Sequence, residues 1–351
     1  MRRTFRIAAI SATVSAIAMQ PASAIAMQPV AAIAMQPVAA QTPGLIGTLV
    51  ITNKTPSTAS IVDVATGKIL ATLPTGRGPH EVAISSDGRT AVVTDYGGPG
   101  DRNTLTVIDI LGLAVSRTIS LGEYKAPHGI VYLPGDSVVA VTSEASRNLV
   151  LVHVASGVVR KAIGTQNNGS HMVGVTADGA MAYTGNIGSN SVSQLDLRSG
   201  RLVRSFPVPN QPEAINVTPD GREVWVGSNA TGRVSVLDPS TGTVSTAADG
   251  VSWPYRVLFS PDVAMAIVPD MNNNELRFLD RASRRELSRL SFPGAGPQGI
   301  TITPDGRYVF LSLSKQARVA VIDARTRTVV RYIASGETPD GVVYTARVVA
   351  R

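Results

Sequence analysis

The 351-residue sequence contains no cysteine. The chain therefore cannot form disulfide bonds, thiolate metal ligands, a cysteine nucleophile or a covalent haem attachment. This absence is compatible with an oxidising compartment. Aromatic residues make up only 5% of the chain, so its core must be filled mainly by aliphatic side chains.

Other common features are also missing. The main apolar stretch, residues 7–19, is too short for a membrane span, and prolines follow it. There is no nucleophile elbow between a strand and a helix, and no P-loop. The formal charge is +7, but the basic residues are not interleaved with aromatic ones. We therefore expect neither a membrane span nor a nucleic-acid partner.

Residues 1–40 have the character of an export signal. A basic start at Arg2, Arg3 and Arg6 precedes the apolar stretch, and small residues at 22–24 and 38–40 offer cleavage sites. The octapeptide Ala-Ile-Ala-Met-Gln-Pro-x-x begins three times, at residues 16, 24 and 32, and lengthens the signal or leaves a spacer. The twin arginine resembles a Tat export motif, although Met1 stands where that motif usually has Ser or Thr. We predict that residues 41–351 fold and that the protein is periplasmic or secreted.

A repeat dominates residues 41–351. Its anchor position is a proline in six copies and a serine in one, and successive anchors lie 42 to 48 residues apart. The anchors are Pro79, Pro127, Ser170, Pro212, Pro254, Pro297 and Pro339. A strand-rich repeat of this length is typical of a β-propeller blade.

Each repeat contains signals for four short antiparallel strands. An alternating apolar run follows the anchor, and an Asp-Gly turn such as Asp220-Gly221 or Asp305-Gly306 leads to the second strand. A polar loop and a Thr/Ser-Gly turn then lead to the third and fourth strands. The sequence predicts an all-β, seven-bladed propeller. Three N-terminal strands, from about residue 47, and a C-terminal innermost strand, from about residue 341, would close the ring. A closed ring needs no partner chain, so we expect a monomer.

Three segments carry a resemblance to a known family: Ala182-Tyr183-Thr184-Gly185-Asn186, Trp225-Val226-Gly227-Ser228-Asn229, and residues 61–68. Over residues 45–349 the chain resembles the YVTN-type β-propeller repeat family, part of the lactonase-like propeller group. The resemblance implies a propeller fold. It also implies either lactone hydrolase or lyase chemistry at the channel mouth, metal-dependent in some members, or an exported binding protein with no chemistry. One scaffold hosts both.

Three of the four histidines share one repeat position, directly after the anchor. They are His80, His128 and His171, and Glu213 takes the same position in the next repeat. The remaining repeats place Tyr255, Gln298 and Asp340 there. In a closed ring one repeat position lies at one height, so we expect these side chains to converge at the mouth of the central channel.

Three imidazoles and a carboxylate suit zinc, copper, iron or nickel better than calcium. We predict that His80, His128 and His171 bind such a metal, with Glu213 as fourth ligand or general base. Loops that open on the same face add two candidate catalytic residues, Glu144 and Asp95. An insertion at residues 97–102 is a candidate flap over the mouth.

Two alternatives stay open. The mouth could bind an organic anion or substrate without metal, with a histidine, Glu213 and Arg256 as acid–base groups. Alternatively, its polar residues could simply face water in a non-catalytic interaction scaffold. His153 is a useful control, because it stands where other repeats have an aspartate that caps a turn at the far end of the blade. The favoured prediction is an exported propeller with a small-molecule or metal site, acting as a metal-dependent, lactonase-like hydrolase or lyase.

Overall fold

The computed structural model describes residues 44–97 and 103–349. The predicted export signal and most of the predicted flap lie outside these residues. The described residues form 28 β-strands and no helix. Accordingly, they contain no helix that is long and apolar enough to cross a membrane.

The strands form seven sheets of four antiparallel strands each. Blade 1 consists of β28 (Pro339–Thr345), β1 (Thr48–Asn53), β2 (Thr58–Asp63) and β3 (Ile69–Pro74), and blade 2 consists of β4 (Pro79–Ile84), β5 (Thr90–Asp95), β6 (Thr104–Asp109) and β7 (Ala114–Ser120). Blade 3 consists of β8 (Pro127–Tyr132), β9 (Val138–Ser143), β10 (Asn148–His153) and β11 (Val158–Gly164), blade 4 of β12 (Ser170–Val175), β13 (Met181–Asn186), β14 (Ser191–Asp196) and β15 (Arg201–Pro207), and blade 5 of β16 (Pro212–Val217), β17 (Val224–Ser228), β18 (Arg233–Leu237) and β19 (Val244–Asp249). Blade 6 consists of β20 (Leu258–Phe259), β21 (Met265–Asp270), β22 (Glu275–Asp280) and β23 (Glu286–Ser291), and blade 7 consists of β24 (Pro297–Ile302), β25 (Tyr308–Leu313), β26 (Arg318–Asp323) and β27 (Thr328–Ala334).

The predicted fold class is confirmed, including the closure of the ring. Strand β28 pairs with β1, with Thr345 opposite Thr48 and Val343 opposite Val50. The first strands of blades 7, 1, 2, 3, 4 and 5 contact one another in succession. Blade 6 departs from the pattern, because its first strand is shortened to Leu258–Phe259. A single bridge from Pro254 to Asp270 holds the start of this segment.

The hydrophobic core is divided among the interfaces between blades. Seven clusters of buried side chains each join two neighbouring blades, so that every interface in the ring has one. Val, Ile, Leu and Ala supply most members, as the low aromatic content requires. Full burial of one such branched side chain contributes about 1.5–3 kcal/mol. The ring is therefore held by repeated aliphatic interfaces of similar kind.

The ends of the blades opposite the anchors are fixed by short polar turns. Asp63 accepts hydrogen bonds from the Ala65 backbone N–H and the Thr66 hydroxyl. His153 occupies the same position in blade 3, where its Nδ1 lies 2.8 Å from Ser156 Oγ and accepts from the Ser156 N–H at 3.2 Å. His153 thus replaces a turn-capping aspartate, as its repeat position predicted.

Candidate functional site at the channel mouth

A β-bulge follows the anchor in each blade and determines where the site residues lie. In blade 2, Pro79 pairs with Asp95 and Val82 pairs with Val93, so β4 has one residue more than β5 over this interval. The other six blades show the same excess of one residue. A bulge redirects the side chains beside it. The first two residues after the anchor therefore depart from the simple alternation of a strand.

Threonines in the second strands satisfy the backbone groups that the bulges leave unpaired. The Glu81 N–H donates to Thr94 Oγ1 at 3.0 Å. Thr52 donates across a blade interface to the carbonyl of His80 at 3.0 Å, and Thr142 does the same for the carbonyl of His171 at 2.6 Å. The backbone that carries these two histidines is therefore fixed by the neighbouring blade.

The seven predicted occupants of the mouth are enclosed by protein. Gln298 is half-buried, and the others are buried, with His128 and Asp340 fully so. Buried polar groups require partners, because burial without a hydrogen bond is costly. Most of these side chains find their partners in one another.

The three histidines form a stack. The ring centroids of His80 and His128 lie 4.1 Å apart, and those of His128 and His171 lie 3.5 Å apart. The ring of Tyr96 meets His80 and His128 edge-on, at 5.5 and 5.1 Å. The structure thus brings the three predicted histidines together, with interplanar angles of 53° between His80 and His128 and 33° between His128 and His171.

At one end of the stack, His171 lies between two carboxylates. Its Nδ1 is 2.9 Å from Glu144 Oε2, and its Nε2 is 3.2 Å from Glu213 Oε1. Burial lowers the pKa of His171, but the charge of Glu213 and the hydrogen bonds to both carboxylates outweigh burial and raise this pKa to about 9. His171 is therefore an imidazolium at neutral pH, with a proton on each ring nitrogen.

Two further contacts hold these carboxylates. Asn229 donates to Glu213 Oε2 at 3.0 Å, and the Tyr96 hydroxyl lies 3.2 Å from Glu144 Oε2. Burial would raise the pKa of Glu144, but the hydrogen bond from His171 and the charge of His171 lower it. Glu144, whose side chain is 25% exposed, is thus an anion at the rim of the mouth.

His128 differs sharply from His171 although it has the same repeat position. Within the described part of the chain, neither of its ring nitrogens has a hydrogen-bond partner of good geometry. Burial, followed by the charges of His171 and His80, lowers the pKa of His128 well below its usual value, and the backbone of His171 opposes this only in part. His128 is therefore neutral.

At the other end of the stack, His80 faces Asp340. Its Nδ1 is 2.8 Å from Asp340 Oδ2, and both atoms are buried. Lys54 Nζ lies 3.0 Å from His80 Nε2 and 3.5 Å from Asp340 Oδ2, and the Tyr255 hydroxyl donates to Asp340 Oδ1 at 2.9 Å. Burial lowers the pKa of His80, and Asp340 opposes that shift. Burial would raise the pKa of Asp340, but the charge and contact of His80, then Lys54 and Arg256, hold it below its usual range.

Arg256 crosses the channel. It donates through Nη2 to Glu81, three blades away, and its Nη1 lies 3.9 Å from Glu213 Oε1. Burial lowers the pKa of Arg256 to about 10, so it stays charged at neutral pH. Simple strand alternation would direct Arg256 away from the channel if Tyr255 faces it. The bulge removes that alternation, and both side chains contact channel groups.

The residues with metal-binding geometry differ in part from those predicted. His80, Glu81 and Asp340 each offer a ligand atom within 4.8 Å of the other two. His80 belongs to both sets, whereas the full set of His80, His128, His171 and Glu213 does not form such a group among the described residues. Its role as a ligand set remains a prediction. Glu81 was missed, and its only signal in the sequence is its place beside His80.

The side chain of Asp95 hydrogen-bonds to its own blade and to none of the three histidines among the described residues. Its carboxylate accepts hydrogen bonds from the hydroxyls of Thr104 at 2.8 Å and Thr106 at 3.0 Å, within its own blade. Asn186 makes the matching contacts in blade 4, with Ser191 and Ser193. The structure therefore assigns Asp95 a position that holds the blade together, and its predicted catalytic role gains no support from these contacts.

A pocket of about 440 Å³ opens beside Tyr96 and Glu144. Its polar lining consists of Tyr96, Glu144, Arg147 and Asn168, and small residues complete the wall. A larger hollow of about 660 Å³ lies by the turn of residues 85–88, at the opposite end of blade 2 from His80. The smaller pocket is the better candidate site, because it adjoins the buried acids and histidines.

Comparison with known proteins supports the fold. No family model and no curated protein matches the chain. Among solved structures, hydrazine synthase from Kuenenia stuttgartiensis is 18% identical, with a TM-score of 0.68 over 87% of this chain and 99% of that one. A functionally unknown protein from Desulfotomaculum acetoxidans is 15% identical, with a TM-score of 0.71 over 85% and 98%. At such identities the likeness concerns the propeller fold alone.

Proposed function

We propose that the channel mouth is a small-molecule site holding a divalent transition metal, and that the protein acts there as a hydrolase or lyase. The observation that carries this proposal is the group His80, Glu81 and Asp340, whose ligand atoms all lie within 4.8 Å of one another. Asp340 Oδ2 lies 2.8 Å and Glu81 Oε1 lies 3.6 Å from His80 Nδ1. A compact group of one imidazole and two carboxylates is a common set of metal ligands in proteins.

The side chains of His80, Glu81 and Asp340 are suitable ligands for a divalent transition metal. One imidazole and two carboxylates suit zinc or iron, and the ring nitrogen also suits copper or nickel. In the present arrangement Arg256 neutralises Glu81, and Lys54 neutralises Asp340. A cation entering the site competes with Lys54, so the affinity for metal depends on that lysine.

The chain supplies acid–base groups of its own. A bound metal supplies Lewis-acid chemistry. Glu144, an anion at the edge of the 440 Å³ pocket, is the candidate general base. Its partner His171 orients that carboxylate and stores a proton, and Glu213 with Asn229 fixes the far side of His171.

The setting of this activity is also part of the proposal. Residues 1–40 support export to the periplasm or beyond the cell, and the repeat motifs support membership of the YVTN-type, lactonase-like propeller group. Lactones are accordingly the first substrates to try. A ring closed on itself supports a monomer.

Elemental analysis of protein purified from its native compartment tests the metal. We expect close to one equivalent of zinc, iron, copper or nickel, lost in His80→Ala and Asp340→Asn and kept in His153→Ala. Lys54→Met should bind the metal more tightly than the wild type. If the protein retains no metal at micromolar concentrations and metal addition does not raise lactone hydrolysis, the proposal fails.

The same experiment separates the two ligand sets. His128→Ala should keep its metal if His80, Glu81 and Asp340 are the ligands, and lose it if the three histidines are. A metal-free, inactive protein would favour the non-catalytic scaffold. The internal pairing of the channel charges supports that second candidate, because the network needs no ligand to neutralise it.

A further inference from the structure

The pocket beside Glu144 contains one fixed negative group and one positive group. Glu144 is held as an anion by His171 at 2.9 Å and by the Tyr96 hydroxyl at 3.2 Å. Arg147 is exposed at the rim, with its Nη1 3.5 Å from the side-chain oxygen of Asn168. Both Glu144 and Arg147 line the same pocket of about 440 Å³.

The rest of the lining limits what can bind. Besides Tyr96 and Asn168, the other wall residues are Ala126, Ala145 and Gly169, which offer little apolar surface. The walls are fixed by main-chain hydrogen bonds, from the Glu144 N–H to the Ala126 carbonyl at 3.0 Å and from the Ile187 N–H to the Gly169 carbonyl at 2.8 Å. A large hydrophobic ligand would gain little here, whereas a small ligand with two opposite charges could satisfy both ends.

We infer that this pocket binds a small zwitterion of the amino-acid type, with its ammonium group at Glu144 and its carboxylate at Arg147. A guanidinium binds a carboxylate through two parallel hydrogen bonds, and a carboxylate partly removed from water binds an ammonium group strongly. This inference goes beyond the proposed function, on which it rests only in placing a ligand at the channel mouth. It names the class of molecule that would meet Glu144.

Four matched probes test the inference: L-alanine, lactate with hydroxyl for ammonium, propionate with no second group, and ethylamine with no carboxylate. Titration calorimetry should show alanine binding at least tenfold more tightly than propionate or ethylamine. Glu144→Gln should abolish the preference for alanine over propionate, and Arg147→Gln the preference for alanine over ethylamine. Arg160→Gln, an exposed arginine on the outer strand β11, is the control and should leave all four affinities unchanged.

The titrations are run on metal-free and on metal-loaded protein, with folding checked by thermal melting. Alanine binding in both forms supports the inference even if the protein retains no metal, in which case only the proposed metal site fails. If alanine does not bind at millimolar concentration, or Arg147→Gln binds all four probes as the wild type does, the inference is overturned while the metal site can still stand.

Discussion

His128 and His171 show that one repeat position can give the same residue opposite properties. Both follow the anchor of their blades and lie in one stack, with centroids 3.5 Å apart. His171 has a carboxylate at each nitrogen, whereas the described residues around His128 offer it only neighbouring rings and a nearby backbone. The charge of each histidine is therefore set by the loops and blades beside it, and not by the repeat itself.

This contrast predicts unequal effects of the same substitution. His128→Phe should change stability by no more than about 1 kcal/mol, because it removes polar atoms that lack partners and keeps an aromatic ring in the stack. His171→Phe should cost about 3–5 kcal/mol, because it leaves Glu144 and Glu213 without their buried partner. Melting temperatures of the two variants, measured side by side at pH 7, check this. Equal losses would contradict the assigned difference in charge.

Asp95 gives a second test at the scale of the residue. Burial raises the pKa of Asp95 to about 6, although Thr104 and Thr106 donate to its carboxylate and oppose the rise. The folded state therefore holds this proton more tightly than the unfolded chain. The resulting stabilisation is complete below about pH 4 and is lost as the pH rises through 6.

Asp95→Asn should therefore stabilise the protein at pH 7.5 by about 2–3 kcal/mol, since asparagine carries no charge to bury. The gain should shrink as the pH falls towards 4. Asn186 already occupies the same position in blade 4, so the amide fits this site. Melting temperatures of both proteins between pH 4.5 and 8 give the measurement. A constant difference across that range would mean that Asp95 does not titrate as described.

At the scale of the element, the bulged first strand decides which side chains reach the channel. Each bulge needs close contact with the next blade, and glycine provides it where the strands nearly touch. A Cβ added at Gly129 would lie 2.8 Å from Met172 Cα and 2.9 Å from both the His171 carbonyl oxygen and the Val173 nitrogen. These atoms are backbone and cannot move aside singly.

Gly129→Ala should therefore force β8 away from β12 and destabilise the protein by about 1–3 kcal/mol. Gly164→Ala is the matched control, because the nearest atom to an added Cβ at the end of β11 is 4.0 Å away. That change should be neutral or slightly stabilising. The comparison requires only melting curves. Similar behaviour of the two variants would show that the strands at this interface are not in tight contact.

The bulge also explains which parts of the site could be predicted. The repeat period, the Asp-Gly turns and the alternating apolar runs are local, so they predicted 28 strands in seven blades and the shared height of His80, His128 and His171. The pairing of Arg256 with Glu81 depends on an extra residue in each first strand and on the width of the ring. Neither quantity is a local property of the sequence, so Glu81 and the crossing of Arg256 could not be derived from it.

At the scale of the whole molecule, the site depends on the closed ring. Arg256 in blade 6 reaches Glu81 in blade 2, and Tyr255 reaches Asp340 in blade 1, so the cluster joins blades that are not neighbours. Asp340 itself is carried by β28, the strand that closes the ring. Fold and site therefore share one requirement, which is that every blade is complete.

Completeness of the blades, and not the position of the chain ends, should then decide folding. The ends of the fold are adjacent, since Thr345 pairs with Thr48 and the Tyr344 hydroxyl donates to the Ile46 carbonyl at 2.8 Å. A short linker from residue 349 to residue 44, with new ends between Gly221 and Arg222, moves the closure from blade 1 to blade 5. That permutant keeps all four strands of each blade and should fold as a monomer with a melting temperature within a few degrees of the wild type. A chain ending at residue 338 lacks β28, exposes the edge of β1 and should aggregate. Gel filtration of both altered proteins and of the unaltered chain measures whether each one is a monomer or an aggregate. A soluble monomer from the truncated chain would show that β28 does not close the ring in the way its pairing indicates.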